Sequence, residues 1–150
     1  MRSTKFLFLV FFAAASGCHR SPDPDYLRDY AKAQALIDDY SGDDGVLDEA
    51  QGLIDTLLQS KPQWPHAHVE KARLLLNQGH IRGDQFREET LANAETELRT
   101  AISLDDAFCD AHVVLAHTLY RMKRYPEAVT ELDRSDAAAC PTPWRSSRRS

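Results

Sequence analysis

Histidine, cysteine and carboxylate are the side chains in this sequence that could do chemistry, and their spacing decides which chemistry is open to them. There are six histidines and three cysteines in 150 residues. His66 and His68 lie two apart, so on a helix they point to different sides, and His112 and His117 lie five apart, ~140° round the axis. Zinc ligands on a helix need i, i+4 spacing, and no Cys-x-x-Cys accompanies these histidines, so no metal is expected. The run Asp38-Asp39-Tyr40-Ser41-Gly42-Asp43-Asp44-Gly45 has the composition of a calcium loop. With Gly45 at the sixth position, however, Tyr40 and Gln51 fall at the first and twelfth, where Asp and Glu are required. A polar turn with an Asp helix cap accounts for it. No nucleophile–base–acid grouping, phosphate-cradling glycine loop or catalytic carboxylate pair can be placed, and Gly79-His80-Ile81-Arg82-Gly83 reads as an inserted turn. The expectation is a protein that is not an enzyme and takes no cofactor.

Cys18 has a different setting. Arg2 and Lys5 form a positive start, and Phe6 to Ala15 is a ten-residue apolar run. A membrane-spanning helix needs ~20 such residues, whereas a signal peptide needs only this many. Cleavage after Ala13-Ala14-Ala15 would give a soluble secreted or periplasmic protein. Ala15-Ser16-Gly17-Cys18 resembles the lipobox of bacterial lipoproteins. That resemblance implies cleavage just before Cys18, a diacylglycerol on its thiol and an acyl group on its new amine. Several acyl chains, each adding ~0.8 kcal/mol per buried CH₂, would hold the chain on a membrane. His19, rather than Asp, after the cysteine implies, by resemblance to enterobacterial sorting, the periplasmic face of the outer membrane.

Charge narrows the partners. The full chain carries −5. Loss of residues 1–17 removes two bases and no acids, giving −7, and setting aside Arg145, Arg148 and Arg149 near the C-terminus leaves −10. Nucleic acid requires a basic face, so it is excluded as a partner. Ten acids between Asp23 and Asp55, against only Arg28 and Lys32, read as a solvated helical face or a dock for a cationic partner.

The elements that would position these residues are helices. Residues 19–25, polar and with two prolines, read as a tether. Tyr26, Leu27, Tyr30, Ala33, Leu36, Ile37 and Tyr40 then recur at helical spacing, Ser41 to Gly45 breaks the helix, and Leu47, Ala50, Leu53, Ile54, Leu57 and Leu58 mark a second helix from about Val46 to Ser60. Pro62 ends it. No alternating run suggests a strand. Two later stretches match each other 44 residues apart: Trp64-Pro65-His66-Ala67-His68-Val69 and Phe108-Cys109-Asp110-Ala111-His112-Val113, followed by Ala72 and Leu75 and by Ala116 and Leu119. A repeat of this size is a unit that cannot bury its own apolar face and stacks on copies of itself.

These repeats resemble tetratricopeptide repeats, whose unit is two antiparallel helices, A and B, in 34 residues. Leu115, Ala116, Leu119, Ala128, Leu132 and Ser135 match the family's pattern in the last repeat. Ala67, Ala72, Leu75, Ala94, Leu98 and Ala101 match it in the middle one, and Ala50, Ile54, Leu57 and Pro62 in the first. The sequence departs from the pattern where His68 and His112 replace a bulky aromatic, and where about ten extra residues, Gly79 to Thr90, separate the middle helices. Five extra residues lie at the Ser41–Gly45 turn. The resemblance implies an all-α, helical-hairpin (TPR-like) solenoid of about three repeats over residues 26–139, after a signal peptide (1–17) and a lipidated tether (18–25). Residues 140–150 then form a disordered or truncated tail, in which Thr142-Pro143-Trp144 looks like the start of another helix A.

Such arrays bind proteins or peptides in the groove lined by helix A. Carried onto this chain, the resemblance places Val69, Glu70, Arg73, Leu76 and Asn77 there from the middle repeat, and Val113, Val114, His117, Tyr120 and Arg121 from the last. In the same register Cys109 precedes helix A and Cys140 follows helix B, at one end of an antiparallel pair, which permits a disulfide. The expected function is a membrane-anchored interaction scaffold. The alternative is the accessory or truncated repeat part of a larger envelope enzyme or assembly factor.

Overall fold

The computed structural model describes residues 24–137. The signal segment, Cys18, Cys140 and the tail lie outside the described residues. Six helices run in order: α1 (Pro24–Asp38), α2 (Asp44–Ser60), α3 (Pro65–Gly79), α4 (Glu88–Leu104), α5 (Cys109–Arg121) and α6 (Tyr125–Ala137). They form three hairpins, α1/α2, α3/α4 and α5/α6, and each hairpin also packs on its neighbour through α2 on α3 and α4 on α5. The fold is an all-α helical-hairpin solenoid of three repeats. Among the described residues no helix is long and apolar enough to cross a membrane.

Small residues set the spacing within each hairpin. Ala33, Ala72 and Ala116 lie in the first helices and Ala50, Ala94 and Ala128 in the second, all buried. A methyl side chain there lets the two backbones approach while leucine and isoleucine fill the flanking gaps. The separation of the two alanines is 12 residues in the last hairpin, 22 in the middle and 17 in the first, so insertions of ten and five residues lie wholly in the turns. This register also aligns α1, with Ala33 in the place of Ala72 and Ala116.

The turns between hairpins repeat as well. Trp64 N–H donates to Lys61 O and Phe108 N–H to Asp105 O, at 3.3 and 3.2 Å. Asp43 caps α2 by accepting from Gly45 N–H at 3.0 Å. Within the last hairpin a tight turn reverses the chain with Lys123 in the left-handed region at φ 61°. The equivalent residue of the middle hairpin, Gly79, ends α3 instead.

The insertion that follows Gly79 is neither a loop nor a longer helix. It is a two-stranded antiparallel ribbon, β1 (His80–Arg82) with β2 (Gln85–Phe86), turned at Gly83 with φ 56°. The sequence shows no strand alternation here because the strands are three and two residues long and exposed on both faces of β1. The ribbon is held from outside its own segment. Arg121 of α5 pairs with Asp84, and its guanidinium lies 5.3 Å from the centre of the Phe86 ring.

Candidate functional site: a trough along the first helices

α1, α3 and α5, together with the ribbon, line a trough of about 710 Å³ whose walls include Ile37, Asp38, Arg73, Leu76, Asn77, His80, Phe86, Val113, Val114 and His117. A shelf of about 270 Å³ continues it towards the start of these helices, past Gln34, Val69, Glu70 and Asp110, sharing Arg73, Val113 and Val114. Eight of the ten residues expected at the groove therefore lie along one continuous surface. Helical spacing explains this, because those positions in α3 and α5 fall on one stripe of each helix.

The stripe divides into structural and free parts. Val69 and Leu76 are buried in the core shared by the second and third hairpins. Glu70 is buried too. Its carboxylate accepts from Gln34 Nε2 at 2.9 Å, from the Tyr30 hydroxyl at 3.4 Å and from Arg73 at 3.4 Å. Burial raises the Glu70 pKa, and the Arg73 charge and these hydrogen bonds only partly offset that. Arg73 also pairs with Asp38, and Asn77 Nδ2 donates to Ile37 O at 3.2 Å. Glu70, Arg73 and Asn77 thus tie α3 to α1 across the trough floor. With its charge spent on two carboxylates, Arg73 is not a clamp for an anion.

Val113, Val114 and His117 present the open part. Val113 and His117 are exposed, and Val114 is half-buried. His117 Nε2 accepts from Arg121 Nε at 3.1 Å, so its proton sits on Nδ1. Partial desolvation of the ring by its neighbours, although an edge of the side chain is open to solvent, then the nearby Arg121 charge, holds its pKa below the usual 6.5. The free wall is consequently largely apolar, with one neutral imidazole donor and the Arg121 guanidinium in contact with His117 and Phe86. Phe86, absent from the expected groove, closes the wall on the ribbon side; a lone aromatic in a polar insertion was its only signal.

Tyr120 and Arg121 lie elsewhere. Arg121 serves the ribbon and lines a second cleft of about 680 Å³ on its far side, with Ile81, Asp84, Phe86, Leu91 and Lys123. Tyr120 stacks edge-on with Tyr125 of α6 at 5.5 Å, on the exposed end of the stack.

The repeat-matched histidines are structural. His68 bonds Glu97 Oε2 at 2.7 Å through Nδ1 and Pro62 O at 2.9 Å through Nε2. His112 bonds Glu131 Oε2 at 2.7 Å and Asp106 O at 3.0 Å in the same way. Each ring joins the turn before its hairpin to the second helix of that hairpin. Burial raises the Glu97 pKa, but hydrogen bonds from His68 and Lys71 and the Lys71 charge outweigh it and the net shift is downward. Glu97 and Glu131 escaped the sequence reading because they lie 29 and 19 residues from their partners, and only the ten-residue insertion separates the two values. Among the described residues no group of three potential ligands could hold a metal ion. Cys109 is disulfide-bonded; its expected partner, Cys140, lies outside the described residues.

No protein-family model matches the chain, and no curated protein matches it.

Proposed function

We propose that the chain is a lipid-anchored envelope protein whose repeats, of tetratricopeptide type, hold a peptide or helix of a partner protein in the trough. The observation that carries this reading is the open wall formed by Val113, Val114 and His117 together with Phe86: a largely apolar surface on a helical frame whose charged neighbours, Asp38, Arg73 and Arg121, are already paired. Such a surface grips apolar side chains of an extended or helical segment, while the already paired polar groups of the floor ask nothing further of the ligand. The charge balance of the chain supports a protein partner over nucleic acid. Anchoring through Cys18, expected at the periplasmic face of the outer membrane, would keep the trough close to the bilayer.

A photo-crosslinking residue placed at Val113 or His117, with one at exposed Thr96 on α4 as control, tests this in intact cell envelopes. The expected result is one discrete crosslinked species from the two trough positions and none from Thr96. The same species should leave the membrane fraction in a Cys18→Ser background. Equal labelling from all three positions, or none, overturns the trough as a docking site. A crosslink that stays membrane-bound without Cys18 overturns the anchor alone.

A further inference from the structure

The first two hairpins end in the same way. After α2 the Pro62 carbonyl accepts from His68 Nε2 at 2.9 Å, and after α4 the Asp106 carbonyl accepts from His112 Nε2 at 3.0 Å. Each histidine belongs to the hairpin that follows, so it fixes the chain leaving one unit to the start of the next. Counted from the aligned alanines Ala50, Ala94 and Ala128, the place of Pro62 and Asp106 after α6 is taken by Cys140. In the same count the place of His68 and His112 falls to Ser146, which has no imidazole to offer. The last hairpin therefore lacks the fastening of the other two and carries a cysteine at the point where it was made.

Cys109 opens α5 and is disulfide-bonded. It is the one cysteine among the described residues, and the chain has three, so its partner is Cys18 or Cys140. The repeat shows which of them lies at hand. In the middle hairpin the places of Cys109 and Cys140 are held by Pro65, at the start of α3, and Asp106, just after α4. Those two ends meet: the ring of His66, next to Pro65, lies 4.5 Å from that of Phe108, two residues past Asp106. α5 and α6 pack on each other as α3 and α4 do, and α6 ends at Ala137, three residues before Cys140. Three residues reach at most ~10 Å, ample for the ~7 Å that two bonded cysteines allow between their Cα atoms. Cys18 is placed worse. It stands six residues before α1, and α3 lies between α1 and α5. Two helix spacings of ~8–10 Å would need nearly the whole ~20 Å reach of that segment, fully extended.

We propose that Cys109 and Cys140 are bonded to each other and that this bond fastens the last hairpin, tying the chain after α6 to the start of α5. The bond forms by exchange with a disulfide-bearing oxidant. One thiolate attacks the oxidant's disulfide, the other displaces it from the mixed disulfide, and two protons are released. The two cysteine sulfurs are oxidised by two electrons in all, and the oxidant leaves as a dithiol. An oxidising compartment, as expected from residues 1–17, supplies such an oxidant. The fastening falls where it is most needed. α2 and α4 are each packed between two helices, whereas α6 has α5 as its main support, and its Val129 and Leu132 are open to solvent. The closed loop spans the whole hairpin, so the bond restricts the unfolded form of that unit above all. It also fixes the start of α5, the helix that carries the open wall of the trough, but the proposal does not rest on that wall being occupied.

Peptide mapping of the full chain, purified from bacterial envelopes after free thiols are blocked with iodoacetamide, tests the pairing. The expected result, from a chain that runs as a monomer on a non-reducing gel, is one linked tryptic species of residues 100–121 and 135–145 that reductant separates. Cys109 found alkylated, or linked to a peptide containing Cys18, overturns the proposal. Thermal melts of a Cys109→Ser/Cys140→Ser variant test the fastening. Its melting temperature should fall on the order of 10 °C below that of the native chain. Hydrogen exchange should rise over residues 109–137 while α1 to α4 keep their protection. Reductant should shift the native chain by the same amount and the variant not at all. A variant that melts with the native chain in the absence of reductant overturns the fastening even where the bond is found.

Discussion

His112 and Glu131 form the more buried of the two histidine–carboxylate contacts: their side chains are 4% and 6% exposed. Taking both groups out of water is costly, and their mutual contact, the Asp106 carbonyl and Arg134 at 2.9 Å compensate for it. His112→Ala leaves Glu131 buried with Arg134 alone. Truncating one partner of a buried pair costs about 3–5 kcal/mol, and the remaining Arg134 contact places this case near 3 kcal/mol. A urea titration measures it. Replacing both groups with apolar residues of similar size, His112→Phe with Glu131→Leu, should bring stability back to within about 1 kcal/mol of the native chain. A double variant as unstable as the single one would show that the pair itself, rather than the orphaned charge, carries the energy. The repeated Ala-His-Val made these histidines visible in the sequence, and the absence of i, i+4 partners removed them as metal ligands. Their actual partners could not be read, because a contact between separate helices leaves no local spacing.

At the scale of elements, the helices were legible because their apolar residues recur with the helical period, and the limits agree to within two residues for α1 and α2. The ribbon was not legible, because it is specified by contacts it receives: Arg121 on Asp84 and Phe86, and Gly79 beneath Thr90. A Cβ on Gly79 would lie 1.8 Å from Thr90 Oγ1 and 2.7 Å from Thr90 Cβ. Thr90 is also fixed, its hydroxyl donating to Arg87 O at 2.8 Å while Arg87 N–H donates to Gly79 O at 2.9 Å. Elsewhere in a helix Gly→Ala is favourable by up to ~1 kcal/mol. Here the overpacking cost of about 1–3 kcal/mol wins. Gly79→Ala should therefore lower the melting temperature, and hydrogen exchange should show the loss of protection concentrated at residues 79–91. A stabilised Gly79→Ala protein would mean that the ribbon can move off α3 freely. That would also detach Phe86 from the trough wall, so the rigidity of the candidate site and the fit of one glycine stand together.

For the whole molecule, a stack of hairpins gains stability from each unit and from each interface between neighbours, so one side chain is worth different amounts at different levels of the stack. Leu98 and Leu132 occupy the same place in successive hairpins. Leu98 is closed in by α5 and fully buried, whereas Leu132 is half open to solvent. Leu98→Ala removes both the transfer free energy and the packing around a cavity, about 2–5 kcal/mol. Leu132→Ala leaves no closed cavity and forfeits only the part of the side chain already covered, under about 1 kcal/mol. Denaturant titrations of the two variants should separate them by at least about 1 kcal/mol. A Leu132→Ala deficit as large as that of Leu98→Ala would instead mean that Leu132 is closed in as Leu98 is, because only a closed site loses packing on truncation.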